Sequence, residues 1–275
     1  MNIFSIATPL NLRYNTPMIN TQILLTIAYD GTHYAGWQRQ NNALAVQQLV
    51  ENALEKILNH PAPLTAASRT DAGVHALGQR AAFVAEHLKI PLEKLPAVLT
   101  GLLPNDISVL HAEVIPHELN PRFHSKFKTY TYQFQNAPIP NPLLSRYSAH
   151  IPKPLDIEAM QAAAAHFIGT HDFTAFCAAG GSAKTFTRTI YACTIESAES
   201  IITLTITGNS FLYNMVRIIA GTIMYCGQSK ISPVQIPGII ESKQRRLAGK
   251  TMPPHGLTLV KVSYRNWKDN GQAPI

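Results

Sequence analysis

Residues 67–79 read Ala67-Ser68-Arg69-Thr70-Asp71-Ala72-Gly73-Val74-His75-Ala76-Leu77-Gly78-Gln79. Alternate residues of an extended chain point to the same side, so we expect Arg69, Asp71 and His75 to share one face. Gly73 would leave that face open to the close approach of another group. The alternative is a surface hairpin with a solvent-facing ion pair, which contributes little to stability. Small and apolar residues flank the charged run, and this favours a functional site.

The segments around this stretch alternate between strand and helix patterns. Ile23 to Tyr29 alternate in polarity and end at Asp30-Gly31, which is typical of a strand and its turn. Apolar residues spaced by three and four from Val46 to Leu58 predict a helix. The stretch itself continues as strand, turn and strand to about residue 85. A helix at 92–102 and a strand at 107–115 complete the order β-α-β-β-α-β.

The second half of the chain repeats this order with one extra helix. We predict a strand ending near residue 134, helices at 157–168 and 211–225, strands at 189–196, 201–207 and 257–264, and a short helix at 234–242. The chain is therefore predicted to be α+β, a duplicated split βαβ (ferredoxin/RRM-like) fold with a mostly antiparallel sheet flanked by helices. The expected domains are an N-terminal extension at 1–20, halves at 21–118 and 119–265, and a tail at 266–275.

Composition restricts the partners that we expect. The 275 residues contain 23 Lys and Arg against 16 Asp and Glu, a net charge of +7, which favours a polyanionic partner such as nucleic acid. The three cysteines lack zinc or redox spacing, so we expect reduced thiols in a cytoplasmic protein. No apolar run approaches the ~18 residues of a membrane span, and the first twenty residues do not resemble a signal peptide.

Arg217 stands between Val216 and Ile218 in an apolar predicted helix. An arginine is rarely buried there without a partner, and Asp71 is the obvious candidate. The alternative is that the side chain extends along the helix to reach water. Asn209-Ser210 is a plausible N-cap, whose exposed amides would suit a phosphate.

Tyr130 and Tyr132 share one strand face with Lys126 and Lys128. Tyrosines and lysines in alternation suit a strand that contacts bases and phosphates. The alternative is cross-strand packing, which we favour for one of the two tyrosines. Further cations lie in loops or near helix ends, namely Arg39, Lys184, Arg188, Lys243, Arg245 and Arg246.

Familiar cofactor and catalytic motifs are absent from the sequence. Residues 180–185 lack the glycine that precedes the lysine of a P-loop, and no Gly-x-Gly-x-x-Gly occurs. The eleven histidines form no zinc motif, and no Gly-x-Ser-x-Gly elbow exists. This leaves a chemistry built on one Asp, one Tyr and one Arg, and we expect neither a metal nor a cofactor.

Residues 69–76 closely resemble the signature of the TruA family of tRNA pseudouridine synthases. Other motifs resemble that family in its order: Tyr29-Asp30-Gly31-Thr32, Tyr34-x-Gly36-Trp37-Gln38, Leu103-Pro104-x-Asp106-Ile107, Arg122-Phe123, Lys128-Thr129-Tyr130-x-Tyr132, His171-Asp172-Phe173-x-x-Phe176, Asn209-x-Phe211-Leu212-Tyr213-Asn214-Met215-Val216-Arg217 and Pro253-Pro254-x-Gly256-Leu257. The resemblance covers about residues 22–264. Pro121, Ser125 and Met252 depart from the small residues or alanine usual there, and residues 1–17 are extra.

The resemblance implies isomerisation of uridine to pseudouridine in the anticodon stem-loop of tRNA. Asp71 would be the nucleophile or charge stabiliser, Tyr130 would stack on the target base and assist proton removal at C5, and Arg217 would keep Asp71 ionised. Substrate binding would involve Arg69, His75, Arg39, Arg122, Lys128, Tyr132, Asn209, Phe211 and Leu257. The family needs no metal or cofactor and is a homodimer whose duplicated halves merge into one central sheet.

Two other functions fit the same residues. A noncatalytic RNA-binding module would need the basic face and the tyrosines but would tolerate loss of Asp71. A hydrolase using Asp71 would release free uracil. A purely structural protein fits least, because it gives no task to Arg69, Asp71 or Arg217.

Overall fold

A computed structural model describes residues 18–265, with side chains from residue 20. Most of the predicted extension at 1–20 and the whole predicted tail at 266–275 lie outside the described residues. No helix in the described range is long and apolar enough to cross a membrane.

The first half contains β1 (Met18–Tyr29), α1 (Val46–Leu58), β2 (Thr65–Ala66), β3 (His75–Leu88), α2 (Leu95–Leu102) and β4 (Ile107–Val114). The second half contains α3 (Pro121–His124), β5 (Phe127–Asn136), β6 (Ala149–Ile151), α4 (Ile157–Ala165), β7 (Gly169–Asp172), β8 (Thr187–Ala198), β9 (Ile201–Gly208), α5 (Met215–Gly227), α6 (Ile236–Ser242) and β10 (Leu257–Ser263).

All ten strands join one sheet with the order β4-β1-β3-β10-β5-β9-β8-β7, while β2 pairs with β3 and β6 pairs with β5. If the short strands β6 and β7 of the second half are set aside, each half has four strands, with the fourth beside the first, the first beside the third, and the third beside the second. The first half shows this as β4-β1-β3-β2 and the second as β10-β5-β9-β8. The predicted duplication and the mostly antiparallel sheet are therefore confirmed.

The halves meet where β3 runs parallel to β10, with Thr258 opposite His75 and Leu259 opposite Ala76. Gly78 permits this approach, because a Cβ atom there would lie 2.4 Å from the carbonyl oxygen of Val260. The stretch that begins at residue 67 enters β3 at this junction. The fold therefore places the loop before β3 between the two halves.

Alternation along the strands buries one face of the sheet beneath helices. Val46, Val50 and Leu54 of α1 are fully buried, as the spacing predicts. Burying each such side chain contributes about 1.5–3 kcal/mol of transfer free energy. Helix α5 packs under the second half, where Ile218 and Ile219 are fully buried. This packing makes the strand ends and their loops rigid supports for a site.

Several boundaries differ from those predicted. The predicted first strand of the stretch is confined to β2, and residues 69–74 form a loop with its turn at 72–73, where Gly73 adopts a φ of 76° and the Val74 amide donates to the Asp71 carbonyl. Helix α5 begins at Met215 instead of residue 211, after Asn214 in the left-handed region with a φ of 58°. Arg217 consequently lies in the first turn of α5 and not in its middle.

Candidate active site

A cleft of about 1090 Å³ lies between the halves and is lined by residues from both. Seven of the predicted site residues line it: Arg69, Asp71, Arg122, Lys128, Tyr130, Phe211 and Leu257. The predicted common face of Arg69, Asp71 and His75 is wrong for His75, because the turn at Gly73 directs the chain away from the cleft.

The turn that carries Asp71 is held against the loop after β1. The Trp37 amide donates to the Thr70 carbonyl at 3.1 Å, and the Gly73 amide donates to the Tyr34 carbonyl at 3.3 Å. Gly36 allows this contact, since a Cβ atom there would lie 2.4 Å from the Thr70 carbonyl oxygen. Backbone hydrogen bonds thus fix the position of the carboxylate.

Arg217 does not itself line the cleft, but it reaches Asp71 from α5. Its Nη1 lies 3.4 Å from Oδ2 of Asp71, and the two side chains are 15% and 31% exposed. Nη1 also donates to Oδ1 of Asn214 at 2.7 Å, and Nε donates to the Met252 carbonyl at 2.7 Å. A cation in the first turn of a helix opposes the helix dipole. We infer that these three partners offset that cost.

The net effect of its surroundings is to raise the pKa of Asp71 above its ordinary value. Burial is the largest cause, and the charges of Arg217 and Arg69 oppose it only in part. The carboxylate is thus more basic than that of an exposed aspartate. A shifted pKa of this kind is typical of carboxylates that take part in a reaction.

Tyr130 lies on β5 within the cleft and is 6% exposed. Its hydroxyl is 2.9 Å from Oγ of Ser68, and its ring packs edge-on against Phe211 at a centroid distance of 5.2 Å. Burial raises the pKa of the hydroxyl, the hydrogen bond to Ser68 lowers it, and the negative charge of Asp71 raises it by a smaller amount. The result is a pKa of about 12. The hydroxyl therefore keeps its proton at neutral pH.

Tyr132 shares the strand face of Tyr130 but lies deeper in the core, fully buried. Its hydroxyl donates to the Pro253 carbonyl at 2.9 Å, and its ring packs against Phe134. It does not line the cleft. Both tyrosines are buried, but Tyr132 alone of the two lies outside the cleft lining, and its predicted contact with substrate stays a prediction.

Three cations lie together on the cleft wall. Lys128 donates from Nζ to the Ala67 carbonyl at 2.7 Å. Burial, with the charges of Arg122 and Arg69, lowers its pKa to about 8. Arg69 reaches Oγ of Ser182 at 3.3 Å across the cleft. The wall is suited to neutralise phosphates.

The structure places three other predicted substrate contacts away from this cleft. His75 is 4% exposed, accepts from the Gly31 amide at Nδ1, and lies 2.8 Å from the Arg146 carbonyl at Nε2. Asn209 accepts from the Thr189 and Ser210 amides in a turn. Arg39 pairs with Glu51 at 3.0 Å beside a smaller neighbouring cavity. These contacts give each residue a structural partner, and the predicted role of the three residues in substrate binding stays a prediction.

Sequence reasoning missed several residues that complete the site. Ser68 and Asn214 position the groups around Tyr130 and Arg217, and Phe123 lines the cleft beside Arg122. The loop at 180–185, rejected as a P-loop, contributes part of the wall. Phe123 belongs to the Arg122-Phe123 motif of the family resemblance, but the sequence carried no signal of its exposure. Within residues 18–265 no three His, Cys, Asp or Glu side chains are grouped to hold a metal ion.

Replacing Arg217 with methionine should lower both stability and turnover. The variant leaves the Met252 carbonyl and the Asn214 side chain without their donor, which costs about 1–3 kcal/mol. A fully buried ion pair would cost more, about 3–5 kcal/mol, but Asp71 is partly exposed. Thermal melting and turnover should be compared with Arg246→Met, whose arginine donates to Gln244 in an exposed contact. Parent-like behaviour of Arg217→Met would show that the pair has no such role.

Comparison with known proteins identifies the family. A model of the tRNA pseudouridine synthase family matches residues 25–125 and 163–265, which include Asp71 and Arg217. The tRNA pseudouridine synthase A of Caldicellulosiruptor saccharolyticus is 47% identical over 242 residues, 88% of this chain and 99% of that protein. Those of Thermoanaerobacter pseudethanolicus and Geotalea uraniireducens are each 46% identical, again over 88% of this chain and 99% of theirs.

Solved structures give a more distant likeness. A chain of the Cbf5–Nop10–Gar1 complex has a TM-score of 0.36 and 13% identity, over 86% of this chain and 48% of that one. This likeness adds nothing to the sequence matches. The matches with curated relatives span nearly their whole length, at identities well above those of unrelated proteins. The chain belongs to the tRNA pseudouridine synthase family, a family of isomerases.

Proposed function

We propose that this protein converts uridine to pseudouridine in the anticodon stem-loop of tRNA, with Asp71 as its catalytic carboxylate. The observation that carries the proposal is a basic cleft lined by Asp71 and Tyr130, in which Arg217 pairs with Asp71. The reaction breaks the N1–C1′ bond, turns the uracil and joins C5 to C1′. A proton leaves C5 and N1 gains one, so no atom enters from outside.

The base must leave its stack before this bond can be reached. Arg69, Arg122 and Lys128 attract the phosphate backbone, and the extruded uracil enters the cleft over Tyr130. Asp71 then acts on the ribose or the base as a nucleophile or as a fixed negative charge. Walls from both halves keep the detached uracil beside C1′ until the new bond forms.

Tyr130 is suited to donate or relay a proton rather than to act as a phenolate. Its raised pKa keeps the hydroxyl protonated, and Ser68 lies within hydrogen-bond distance as the next carrier. Arg217 orients Asp71 through α5 and reduces the pKa increase that burial causes. Each group therefore has a separate task in a reaction that needs no redox change.

The decisive test is to map pseudouridine in tRNA before and after incubation with the pure protein. We expect new pseudouridine in the anticodon stem-loop and no free uracil. Release of uracil would indicate a hydrolase instead. Binding of tRNA without any product would favour a noncatalytic RNA-binding module. Mapping also shows which uridines are modified.

Activity should decline on the acid side at a pH above the ordinary aspartate pKa of about 3.9. Burial raises the pKa of Asp71, so the carboxylate becomes protonated earlier as the pH falls. The measurement is the pH dependence of kcat/KM, compared between the parent and Arg217→Met. Without the opposing Arg217 charge, the acid limb should move to higher pH. An unchanged limb in the variant would show that another group titrates.

We further propose that the protein acts as a homodimer in the cytoplasm. The dimer follows from the family resemblance, and its mass in solution by light scattering tests it. The tRNA substrate and the three free cysteines, two of them buried, support a reducing compartment.

A further inference from the structure

Phe123 has an unusual position for a large apolar side chain. It lines the cleft and is 74% exposed, more than the other large apolar side chains of the described cleft lining. Tyr213 follows at 45%, while Trp37 and Leu257 are buried. A phenylalanine left in water at the mouth of a basic cleft contributes nothing to the core. A ligand that covers the ring would gain the free energy of its burial.

The backbone holds Phe123 outward rather than leaving it free. It belongs to the single helical turn α3, whose N-cap Asn120 accepts from the Arg122 amide at 2.9 Å. Pro121 begins this turn and is buried, and its carbonyl accepts from the Tyr264 hydroxyl at 3.4 Å. The exposed ring is therefore presented on a fixed support.

Arg122 occupies one side of the ring. Its guanidinium carbon lies 5.5 Å from the ring centroid, a cation–π distance. Since Phe123 lines the cleft and stays 74% exposed, the ring face away from Arg122 is accessible to a ligand. A planar group could stack on the open face while a phosphate meets the cation. This combination of an aromatic ring and adjacent positive charge is what single-stranded nucleic acid uses.

The group that stacks there differs from the uracil that reacts, because the two aromatic residues of the cleft lie in different environments. Tyr130 is 6% exposed, whereas Phe123 is 74% exposed. A uracil that enters the cleft to meet the buried Tyr130 leaves the exposed ring of Phe123 uncovered. Phe123 is therefore available to a second nucleotide.

We propose that Phe123, backed by Arg122, is a stacking site for a second, unstacked base of the RNA, next to the extruded uridine. The inference rests on the proposed function, because it assigns part of the same RNA to this rim. It adds a role in holding the distorted RNA open after the uridine leaves the helix. Arg122 binds the phosphate of the stacked nucleotide.

The test compares the variants Phe123→Ala, Phe123→Leu and Phe123→Trp in gel-shift titrations with tRNA. Loss of one base–aromatic stack should weaken binding about tenfold or more for alanine, and leucine should not restore it. Tryptophan should bind at least as tightly as the parent, and its emission should be quenched by RNA beyond that of the parent. Leu143→Ala is the matched control, because Leu143 is 83% exposed and lies outside the cleft lining.

The salt dependence of tRNA binding distinguishes the contribution of the Phe123 ring from that of the Arg122 charge. Phe123→Ala should keep the parent's log–log salt slope, while Arg122→Gln should reduce its magnitude by about 1. Binding of Phe123→Ala within about twofold of the parent, or full rescue by leucine, would overturn the stacking site. Pseudouridine formation by the parent is measured separately and decides the proposed function. Either idea can therefore fail without the other.

Discussion

Asp71→Asn should abolish pseudouridine formation while the protein folds and binds tRNA with an affinity within about tenfold of the parent. Binding comes mainly from phosphate contacts and stacking, which the amide leaves in place. The reacting carbon loses its nucleophile or charge, and no second carboxylate lines the cleft in the described part of the chain. Gel-shift titrations measure the affinity for tRNA, and a pseudouridine-specific chemical assay on the same preparation measures product formation.

The raised pKa of Asp71 also predicts the stability of this variant. A carboxyl group whose pKa is higher in the folded state binds more protons there than in the unfolded state. The free energy of unfolding therefore falls as pH rises through the ordinary value toward the folded one, and at neutral pH the charge is a net cost. Asp71→Asn removes that charge, while Arg217 keeps Met252 and Asn214 as partners. We expect an equal or higher melting temperature.

Asp156→Asn provides the control for the same chemical change elsewhere. Asp156 caps α4 by accepting from the Ala159 amide, and asparagine caps a helix equally well. The Asp156→Asn variant should therefore retain full activity. Substantial product from Asp71→Asn would contradict the mechanism, and loss of tRNA binding would show that Asp71 serves mainly to bind.

The duplicated fold was predictable because its signals are periodic. Apolar spacing in α1 and alternation in β5 follow from packing against one sheet, so they identify the elements without knowledge of their neighbours. Boundaries set by tertiary contacts were not predictable. The later start of α5 depends on Asn214, whose side chain bonds Arg217 instead of capping the helix. Strand β2 has only two residues, too few to leave a pattern.

The pairing within the candidate site was predictable, and the path of the chain around it was less so. An arginine in an apolar helix requires a partner, and this requirement led to Asp71. Alternation placed His75 beside Asp71 only on the assumption of an extended chain, which the positive φ of Gly73 breaks. Tyr130 and Tyr132 have the same alternation, and only their depth along β5 separates the cleft residue from the core residue. Depth is a tertiary property, so the sequence could not assign it.

Tyr130→Phe should bind tRNA like the parent but react about 10²–10⁴-fold more slowly, the usual contribution of a positioned proton-transfer group. The variant preserves the ring that we propose to stack on the uracil, together with its edge contact to Phe211. Only the hydroxyl is lost, and with it the hydrogen bond to Ser68. Single-turnover kinetics should show the decrease in the chemical step, and the dissociation constant for tRNA should be unchanged.

Tyr132→Phe is the matched control, because it removes the same atom from the same strand two residues away. Its hydroxyl bonds the Pro253 carbonyl in the core, so its loss should cost about 1 kcal/mol of stability and little activity. Ser68→Ala should lie between the two, since it deletes the partner but keeps the Tyr130 hydroxyl. A fully active Tyr130→Phe beside an inactive Tyr132→Phe would move the proton-transfer role to Tyr132. It would also require that the Pro253 contact open during the reaction.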